Sequence, residues 1–337
     1  MNENPPEYMP DSGLTFRAEP EVILAQLVPE PPRIRPPRRP PGWLRRHLPV
    51  LLFVATCLST LLAGSHLLEI LASCTLHGWS RVDFDSLWPV LVEHMYHGLI
   101  YGSCIMTILL CHEMGHYFQA RRYRVPASLP FFIPMPIGPI GTLGAVIGMR
   151  PGVGDRKAIF DIGITGPLAG LVPTLIFCVV GLQLSEVGPL AGAKEQYGDP
   201  LLIQFLVWLQ YGPLPSGYVV MVHPMAFAAW VGLLITSLNL IPIGQLDGGH
   251  VLYALLRKKA HHVASFLLMA ATVAVVVAAV YFHYPVWVLM VLLLFIMGPN
   301  HPPTANDDVP LGAWRIVLGW LTLAFVLIGF TPVPFKI

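Results

Sequence analysis

Two histidines and a glutamate lie close together in an apolar stretch of this sequence. The run Ile105-Met-Thr-Ile-Leu-Leu-Cys leads directly into His112-Glu113-Met-Gly-His116. On a helix, residues four apart share one face, so both imidazole rings can reach one metal ion while Glu113 points at an open coordination position. Ionisable side chains at membrane depth are costly and indicate function. The spacing therefore predicts a zinc site with a carboxylate placed to activate water.

The composition predicts a polytopic membrane protein. Of 337 residues, 55% are apolar and 12% are charged, and the mean hydropathy is +0.64; a typical soluble protein carries about twice that charge. The five cysteines form no CxxC pair, which argues against a disulfide framework and a thiolate zinc site. We expect an all-α fold with six to seven transmembrane helices. Apolar stretches near the length of a membrane span cover 48–73, 98–121, 161–184, 224–243, 262–282, 284–298 and 312–331.

Basic residues set the expected orientation in the membrane. Loops rich in Lys and Arg alternate along the chain, which predicts that the N-terminus, the 122–160 connection and the 257–261 loop are cytoplasmic. Residues 1–47 are interpreted as a disordered Pro/Arg-rich tail that contacts anionic lipid, followed by a membrane domain at 48–337. The tail has no interleaved aromatics, so nucleic acid is not an expected partner. Without an evident organelle signal, we expect a bacterial inner membrane, with the site near its cytoplasmic side.

A second polar segment is expected at the same depth as the histidines. The span at 224–243 also runs inward, and it leads into Asn239-Leu-Ile-Pro-Ile-Gly-Gln-Leu-Asp247-Gly-Gly-His250. The proline and the paired glycines interrupt the helix, which lets a carboxylate turn inward. We therefore predict Asp247 as the third ligand of one zinc ion per chain. Asn239 is predicted to donate a hydrogen bond to developing negative charge or to a bound peptide backbone.

Each of these residues also has a structural explanation. Asp247 could instead be a turn residue or helix cap before Gly-Gly, which the pattern favours less than a ligand. Asn239 is also typical of a hydrogen bond between membrane helices. His250 is interpreted as a neighbour or hydrogen-bond donor behind the ligands rather than as a ligand.

Three further stretches have distinctive compositions. Residues 131–149 are apolar but rich in Pro and Gly, which predicts a re-entrant loop or short β-hairpin whose strand edge can hold an extended peptide, or else a packing loop. Residues 163–170 contain small residues at helical spacing, which favours close packing against the metal-bearing helices. Residues 201–222 are apolar but broken, which favours an interfacial or partly inserted segment.

The joint pattern resembles the site-2 protease family of intramembrane zinc metalloproteases, peptidase family M50. The resemblance rests on His-Glu-x-x-His at 112–116, Gly-Pro-Leu-Ala-Gly at 166–170 and Asn-x-x-Pro-x-x-x-Leu-Asp-Gly-Gly at 239–249. It covers about residues 98–257, which in that family form a three-helix catalytic core. The chain is most similar to the branch without PDZ or CBS domains, and residues 130–149 resemble the branch that includes chloroplast members needed for greening.

The resemblance implies the roles of the site residues. His112, His116 and Asp247 would hold Zn²⁺, and Glu113 would be the catalytic acid–base. The implied activity is hydrolysis of peptide bonds within or next to transmembrane segments of membrane-protein substrates, as in regulated intramembrane proteolysis. The expected partners are those substrates and the lipid bilayer; neither the physiological substrate nor the oligomeric state is predicted.

Three other functions are compatible with parts of the pattern. A catalytically silent membrane scaffold would retain the fold, but it would be expected to have lost Glu113. A metal transporter would be expected to show internal repeats and polar residues on several helices. Another membrane-anchored zinc peptidase would often use a Glu as its third ligand, which the Leu-Asp-Gly-Gly segment at 246–249 does not favour.

Overall fold

The computed structural model describes residues 43–68, 70, 72, 75, 84–190 and 197–335. The predicted disordered tail at 1–47 falls almost entirely outside these residues, and the first described helix begins at Trp43. All packing considered below lies within Arg46–Ile337.

The described part of the chain is mostly helical. The helices whose bounds the structure gives are, in chain order, α1 Trp43–Gly64, α2 Phe84–Arg122, α3 Arg156–Gln183, α4 Leu201–Tyr211, α5 Pro224–Asn239, α6 Asp247–Leu256, α7 Lys259–Tyr281, α8 Val288–Met297 and α9 Ala313–Gly329. Helix α2 has 39 residues and begins well before residue 98, where the predicted second span begins. Residues 84–97, which lie between the first two predicted spans, are therefore part of this helix.

Among the residues that the structure describes, four helices are long and apolar enough to cross a membrane. They contain the stretches His47–Gly64, Leu87–Arg122, Arg156–Gln183 and Lys259–Tyr281. The predicted spans at 224–243, 284–298 and 312–331 correspond to α5, α8 and α9, which have 16, 10 and 17 residues. A 16-residue helix is about 24 Å long, whereas a bilayer's hydrocarbon core is about 30 Å thick. The predicted count of six to seven transmembrane helices is therefore not confirmed.

Two small antiparallel strand pairs interrupt the helices, so the fold is mostly rather than purely α. Strands β1 (Phe131–Pro134) and β2 (Thr142–Val146) pair with Phe132 opposite Ala145. The turn between them is held by two hydrogen bonds: Ser59 Oγ donates to Gly141 O at 2.7 Å, and Tyr101 OH donates to Ile140 O at 2.7 Å. These bonds fix the turn against α1 and α2.

The second strand pair lies in the connection between α3 and α5. Strand β3 (Glu186–Pro189) pairs with β4 (Tyr218–Met221). The apolar segment predicted to be interfacial or partly inserted, 201–222, therefore consists of helix α4 followed by β4. The sequence patterns did not indicate this strand pair, because its strands are only four residues long.

The core that positions the site consists of α2, α3 and α5, which pack against one another. Tyr101 and Ile105 of α2 and Ala228 and Leu233 of α5 are fully buried there. Small residues let the helices approach closely: a side chain on Gly232 of α5 would overlap Ile108 of α2.

A buried ion pair connects α3 to α9. Arg315 donates two hydrogen bonds to the carboxylate of Asp161, Nε to Oδ1 at 2.7 Å and Nη2 to Oδ2 at 2.9 Å. Tyr123 OH donates to the same carboxylate. The two charged side chains are only 13% and 8% exposed. A paired and hydrogen-bonded charge can remain buried at modest cost, whereas a single charge left behind is strongly destabilising.

We therefore expect Arg315→Met to lower the free energy of unfolding by about 3–5 kcal/mol, because it leaves Asp161 buried without its cation. The matched control is Arg257→Met at the Arg257–Asp308 pair, whose side chains are 45% and 91% exposed; the expected loss is below about 1 kcal/mol. SDS titration in mixed micelles measures both values. Equal losses in the two variants would show that the buried pair contributes no more than the surface pair.

Candidate metal centre

The two histidines lie in the last third of α2 on one helical face. His112 and His116 are one turn apart, with ring centroids 5.0 Å from each other. Both are buried, with 3% and 6% of their surface exposed. Buried imidazoles need polar partners, and these partners come from α3 and α6.

The third candidate ligand, Asp247, lies in the segment that follows α5. That helix ends at Asn239, the chain turns over residues 240–246, and α6 begins at Asp247. Its carboxylate lies between the two rings, with Oδ2 3.1 Å from His112 Nε2 and Oδ1 3.2 Å from His116 Nε2. A side chain on Gly248 would overlap the carbonyl of Leu240. Glycine at this position therefore allows the first turn of α6 to lie against the preceding turn.

The three side chains fit a zinc ion. One ligand atom from each of His112, His116 and Asp247 lies within 4.8 Å of the others. Two ligands bound to one tetrahedral zinc at 2.0–2.2 Å lie about 3.3–3.6 Å apart, close to the nitrogen–oxygen distances of 3.1 and 3.2 Å. Two imidazoles and a carboxylate are ordinary ligands of a catalytic zinc, and three protein ligands leave one position open.

A backbone carbonyl orients one of the three candidate ligands. His116 Nδ1 lies 2.7 Å from Ile162 O on α3. A carbonyl can only accept, so Nδ1 carries the proton and Nε2 has its lone pair towards the metal position. Sequence reasoning missed this contact, because the acceptor is a main-chain atom and no side-chain pattern marks it.

The remaining predicted residues lie beside the three ligands. Glu113 is 4% exposed, and no donor among the described residues hydrogen-bonds its carboxylate, which therefore stays available to a small molecule in the site. Asn239 Nδ2 lies 3.5 Å from His112 Nε2. The structure thus brings together all five predicted site residues, from α2, the end of α5 and the start of α6.

The glycine-rich segment of α3 packs directly against the ligand-bearing helix. A side chain on Gly166 would overlap the His116 ring, and one on Gly170 would come within 3.0 Å of His112 Cβ. In the other direction, a side chain on Gly115 of α2 would come within 2.7 Å of Thr165 O. This is the packing role expected for the segment, and it determines how close α3 comes to the rings.

Gly166→Ala is expected to displace the His116 ring, to lower the free energy of unfolding by about 1–3 kcal/mol and to weaken zinc binding. Gly102→Ala is the matched control on α2, because a methyl there would meet its nearest atom, Leu61 N, at 3.3 Å. We expect that variant to stay within about 1 kcal/mol of the native chain, with unchanged zinc binding. Zinc titration and SDS unfolding measure both effects, and identical results for the two variants would contradict the close approach at Gly166.

The loop at 299–308 supplies polar groups behind α6 that no motif indicated. Tyr253 OH donates to Asp307 Oδ2 at 2.9 Å, and Thr304 Oγ1 donates to Oδ1 at 2.7 Å. Burial alone would raise the pKa of Asp307, but these two hydrogen bonds, together with the charges of Arg257 and Lys258, outweigh it and lower the pKa. His301 stacks on the Tyr253 ring with centroids 4.3 Å apart. The only sequence signal was a histidine within a proline-rich connection.

Comparison with known proteins agrees with this geometry. A model of the family described as Peptidase family M50 matches residues 101–282, which include all five site residues. "Probable zinc metalloprotease EGY1, chloroplastic" of Arabidopsis thaliana is 30% identical over 260 residues, 74% of this chain and 45% of the relative. Its namesake in Oryza sativa subsp. japonica is 36% identical over 165 residues, 46% of this chain and 28% of the relative. "Probable zinc metalloprotease EGY2, chloroplastic" of Arabidopsis thaliana is 28% identical over 238 residues, 69% and 42% of the two chains.

The chain spans less than half the length of these relatives. Their names describe chloroplastic plant proteins, so they give no support to the expected bacterial inner membrane. The four long apolar helices are consistent with an integral membrane protein.

Proposed function

Because this chain belongs to peptidase family M50, we propose that it is an intramembrane zinc metalloprotease that hydrolyses peptide bonds within or next to transmembrane segments. The main supporting observation is that His112, His116 and Asp247 converge on one point in helices that are long enough to cross a membrane, or directly adjacent to them. The names of the relatives, which describe probable zinc metalloproteases, support the same activity.

The proposed ligands are His112, His116 and Asp247, for one zinc ion. Zinc in such a site supplies Lewis acidity, which makes water nucleophilic near neutral pH and polarises a peptide carbonyl. The two rings and the carboxylate hold fixed positions, because α3 packs against α2 and because Ile162 O fixes the proton on His116 Nδ1. The ligands therefore need little rearrangement when a substrate arrives.

Glu113 is the proposed proton carrier. Its carboxylate takes a proton from the attacking water as the bond from oxygen to the scissile carbon forms. The same carboxyl then gives a proton to the amide nitrogen as the carbon–nitrogen bond breaks, so the amine leaves neutral and Glu113 is ionised again. Asn239 is proposed to donate from Nδ2 to the charge that develops on the carbonyl oxygen or to the substrate backbone.

The substrate is proposed to be a transmembrane helix that unwinds locally. A helix shields its backbone, because each carbonyl accepts a hydrogen bond from within the helix. The β1–β2 strand pair, whose turn is held by Ser59 and Tyr101, has no third strand beside it among the described residues, so its outer edges can pair with an extended segment. We propose that this pair re-enters the bilayer beside the metal site and captures the unwound segment.

The proposed orientation puts the metal site near the cytoplasmic side, or its topological equivalent, of the membrane. Helix α2 ends in Arg121 and Arg122, a few residues beyond His116. Arg257 and two lysines follow α6, which begins at Asp247. Basic residues favour this side of a membrane, and both ligand-bearing segments end there.

Purified full chain in detergent provides the test. Zinc is quantified by metal analysis, and cleavage is followed on a panel of transmembrane model substrates before and after treatment with 1,10-phenanthroline. We expect one zinc per chain, with cleavage lost on chelation and restored by added zinc. Zinc binding without any cleavage would instead favour the catalytically silent scaffold. Cleavage that survives complete metal removal would contradict the proposed chemistry.

A further inference from the structure

A histidine outside the ligand set lies one turn beyond Asp247. His250 is on the first turn of α6, and residues three apart on a helix are neighbours on its surface. A side chain on Gly163 of α3 would overlap His250 Cβ. His250 is therefore held against the same segment of α3 whose Ile162 carbonyl orients the ligand His116.

Hydrogen bonds determine which nitrogen of His250 carries the proton. His301 Nδ1 lies 2.5 Å from Pro302 O, so this nitrogen must donate. Burial lowers the pKa of His301 to about 3, so its ring is neutral and its Nε2 has a bare lone pair. His250 Nδ1 lies 2.6 Å from that Nε2, so His250 must donate from Nδ1.

His250 Nε2 is therefore an acceptor on the far edge of the ring from His301. Among the described residues, no protein donor hydrogen-bonds it. It does not complete the metal site either, because the group of ligand atoms lying within 4.8 Å of one another contains only His112, His116 and Asp247. The structure thus holds an oriented acceptor on the same helical turn as Asp247, and no donor among the described residues occupies it.

We propose that His250 is a substrate-binding residue whose Nε2 accepts a hydrogen bond from a backbone N–H of the peptide being cleaved, and that His301 is the positioning residue that fixes its tautomer. This inference rests on the proposed protease function. It extends that function by giving a substrate contact to His250, which is outside the ligand set. It also gives a positioning role to the loop that carries His301, about fifty residues further along the chain.

The backbone N–H is the donor that best matches this acceptor. An unwound substrate segment exposes N–H groups that have lost their helical carbonyl partners, and at membrane depth an unpaired N–H is costly. Every peptide carries these donors whatever its side chains. A fixed acceptor beside the scissile bond stabilises the unwound segment without requiring a particular sequence.

The test compares two variants of the positioning residue. His301→Gln places an amide oxygen near the position of the ring Nε2 and keeps an acceptor for His250, whereas His301→Leu removes it. His262→Gln, at an exposed histidine of α7, is the matched control. All variants are analysed as full chains for KM, kcat and zinc content. In addition, ¹⁵N NMR of histidine-labelled native protein, assigned by comparison with His250→Gln, distinguishes bare from protonated ring nitrogens.

We expect a bare Nε2 on His250 and one zinc per chain in every variant. KM should rise about tenfold in His301→Leu with little change in kcat, because the lost contact is one hydrogen bond made equally in the ground and transition states. His301→Gln and His262→Gln should stay within about twofold of the native KM.

Three results would overturn the inference while leaving the protease function intact. These are a proton on His250 Nε2, a KM in His301→Leu equal to that in His301→Gln, and a loss of zinc in His301→Leu parallel to the loss of activity. The NMR result is obtained on native protein and decides the tautomer even if His301→Leu does not fold. A native chain that neither binds zinc nor cleaves would overturn the proposed function and this inference together.

Discussion

Glu113→Gln is expected to lower kcat about a thousandfold, within the range that a positioned acid–base contributes, while leaving one zinc bound per chain. The amide has nearly the same shape as the carboxylate but cannot take a proton from water. Glu113 is buried beside the ligands, and no donor among the described residues holds its carboxylate, so the substitution breaks no hydrogen bond among them. Single-turnover cleavage and metal analysis of the same preparation measure the two effects.

Glu93→Gln is the matched control for this substitution. Glu93 lies on the same helix as Glu113, but its side chain is exposed and far from the ligands in sequence. We expect native activity from it. If Glu113→Gln kept native kcat, proton transfer would have to be assigned to another group; if it lost its zinc, the glutamate would be needed to hold the metal.

Asp247→Asn is expected to weaken zinc binding by more than about a hundredfold. Loss of a residue that only orients a metal ligand already lowers metal affinity by up to about that factor, and loss of a direct ligand should lower it further. Proteolysis should be lost with the metal. The neutral amide is a poor zinc ligand, and it removes the negative charge that lies between the two rings, 3.1 and 3.2 Å from their nitrogens. Competition with a chromogenic zinc chelator measures the affinity.

The choice of Asn separates the two explanations of this residue. Asn caps helices and forms turns about as well as Asp, so a purely local role at the start of α6 would survive the substitution with zinc affinity unchanged. Asp308→Asn, at the exposed pair with Arg257, is the matched control and should bind zinc like the native chain. Native affinity in Asp247→Asn would remove Asp247 from the ligand set.

The face of α2 that carries His112 and His116 was predictable, because it depends only on residue types and spacing within one segment. Helical geometry places residues four apart on one face, so the spacing of His112 and His116 was sufficient to bring their rings together once the segment was helical. The convergence of Asp247 required one further inference, that the basic loops alternate sides. From that inference we expected the end of α5 to lie near the histidines, and Asp247, at the start of α6, does lie against them.

The number of membrane spans was less predictable. Apolar composition predicted a span at 224–243 and Pro242 predicted an interruption, but neither indicated that the helix would already end at Asn239, before the left-handed backbone of Gly244. Hydropathy averaged over a window measures how apolar a segment is, and it does not report where hydrogen bonding along the helix ends. The strand pair β3–β4 was not predicted for a related reason. A strand of four residues is too short to show the alternation of apolar and polar residues that is typical of a strand.

The residues that meet at the candidate metal centre were thus predictable from the sequence, because residue type and helical spacing are properties of single segments. The orienting contacts were not. Ile162 O meets His116, His301 fixes the tautomer of His250, and Arg315 neutralises Asp161 across 154 residues of chain. Each of these contacts joins segments that are distant in sequence. The distance between such segments in space depends on how closely the helices pack. In this protein, that packing depends on glycines that allow α3 to lie against the rings of His112 and His116.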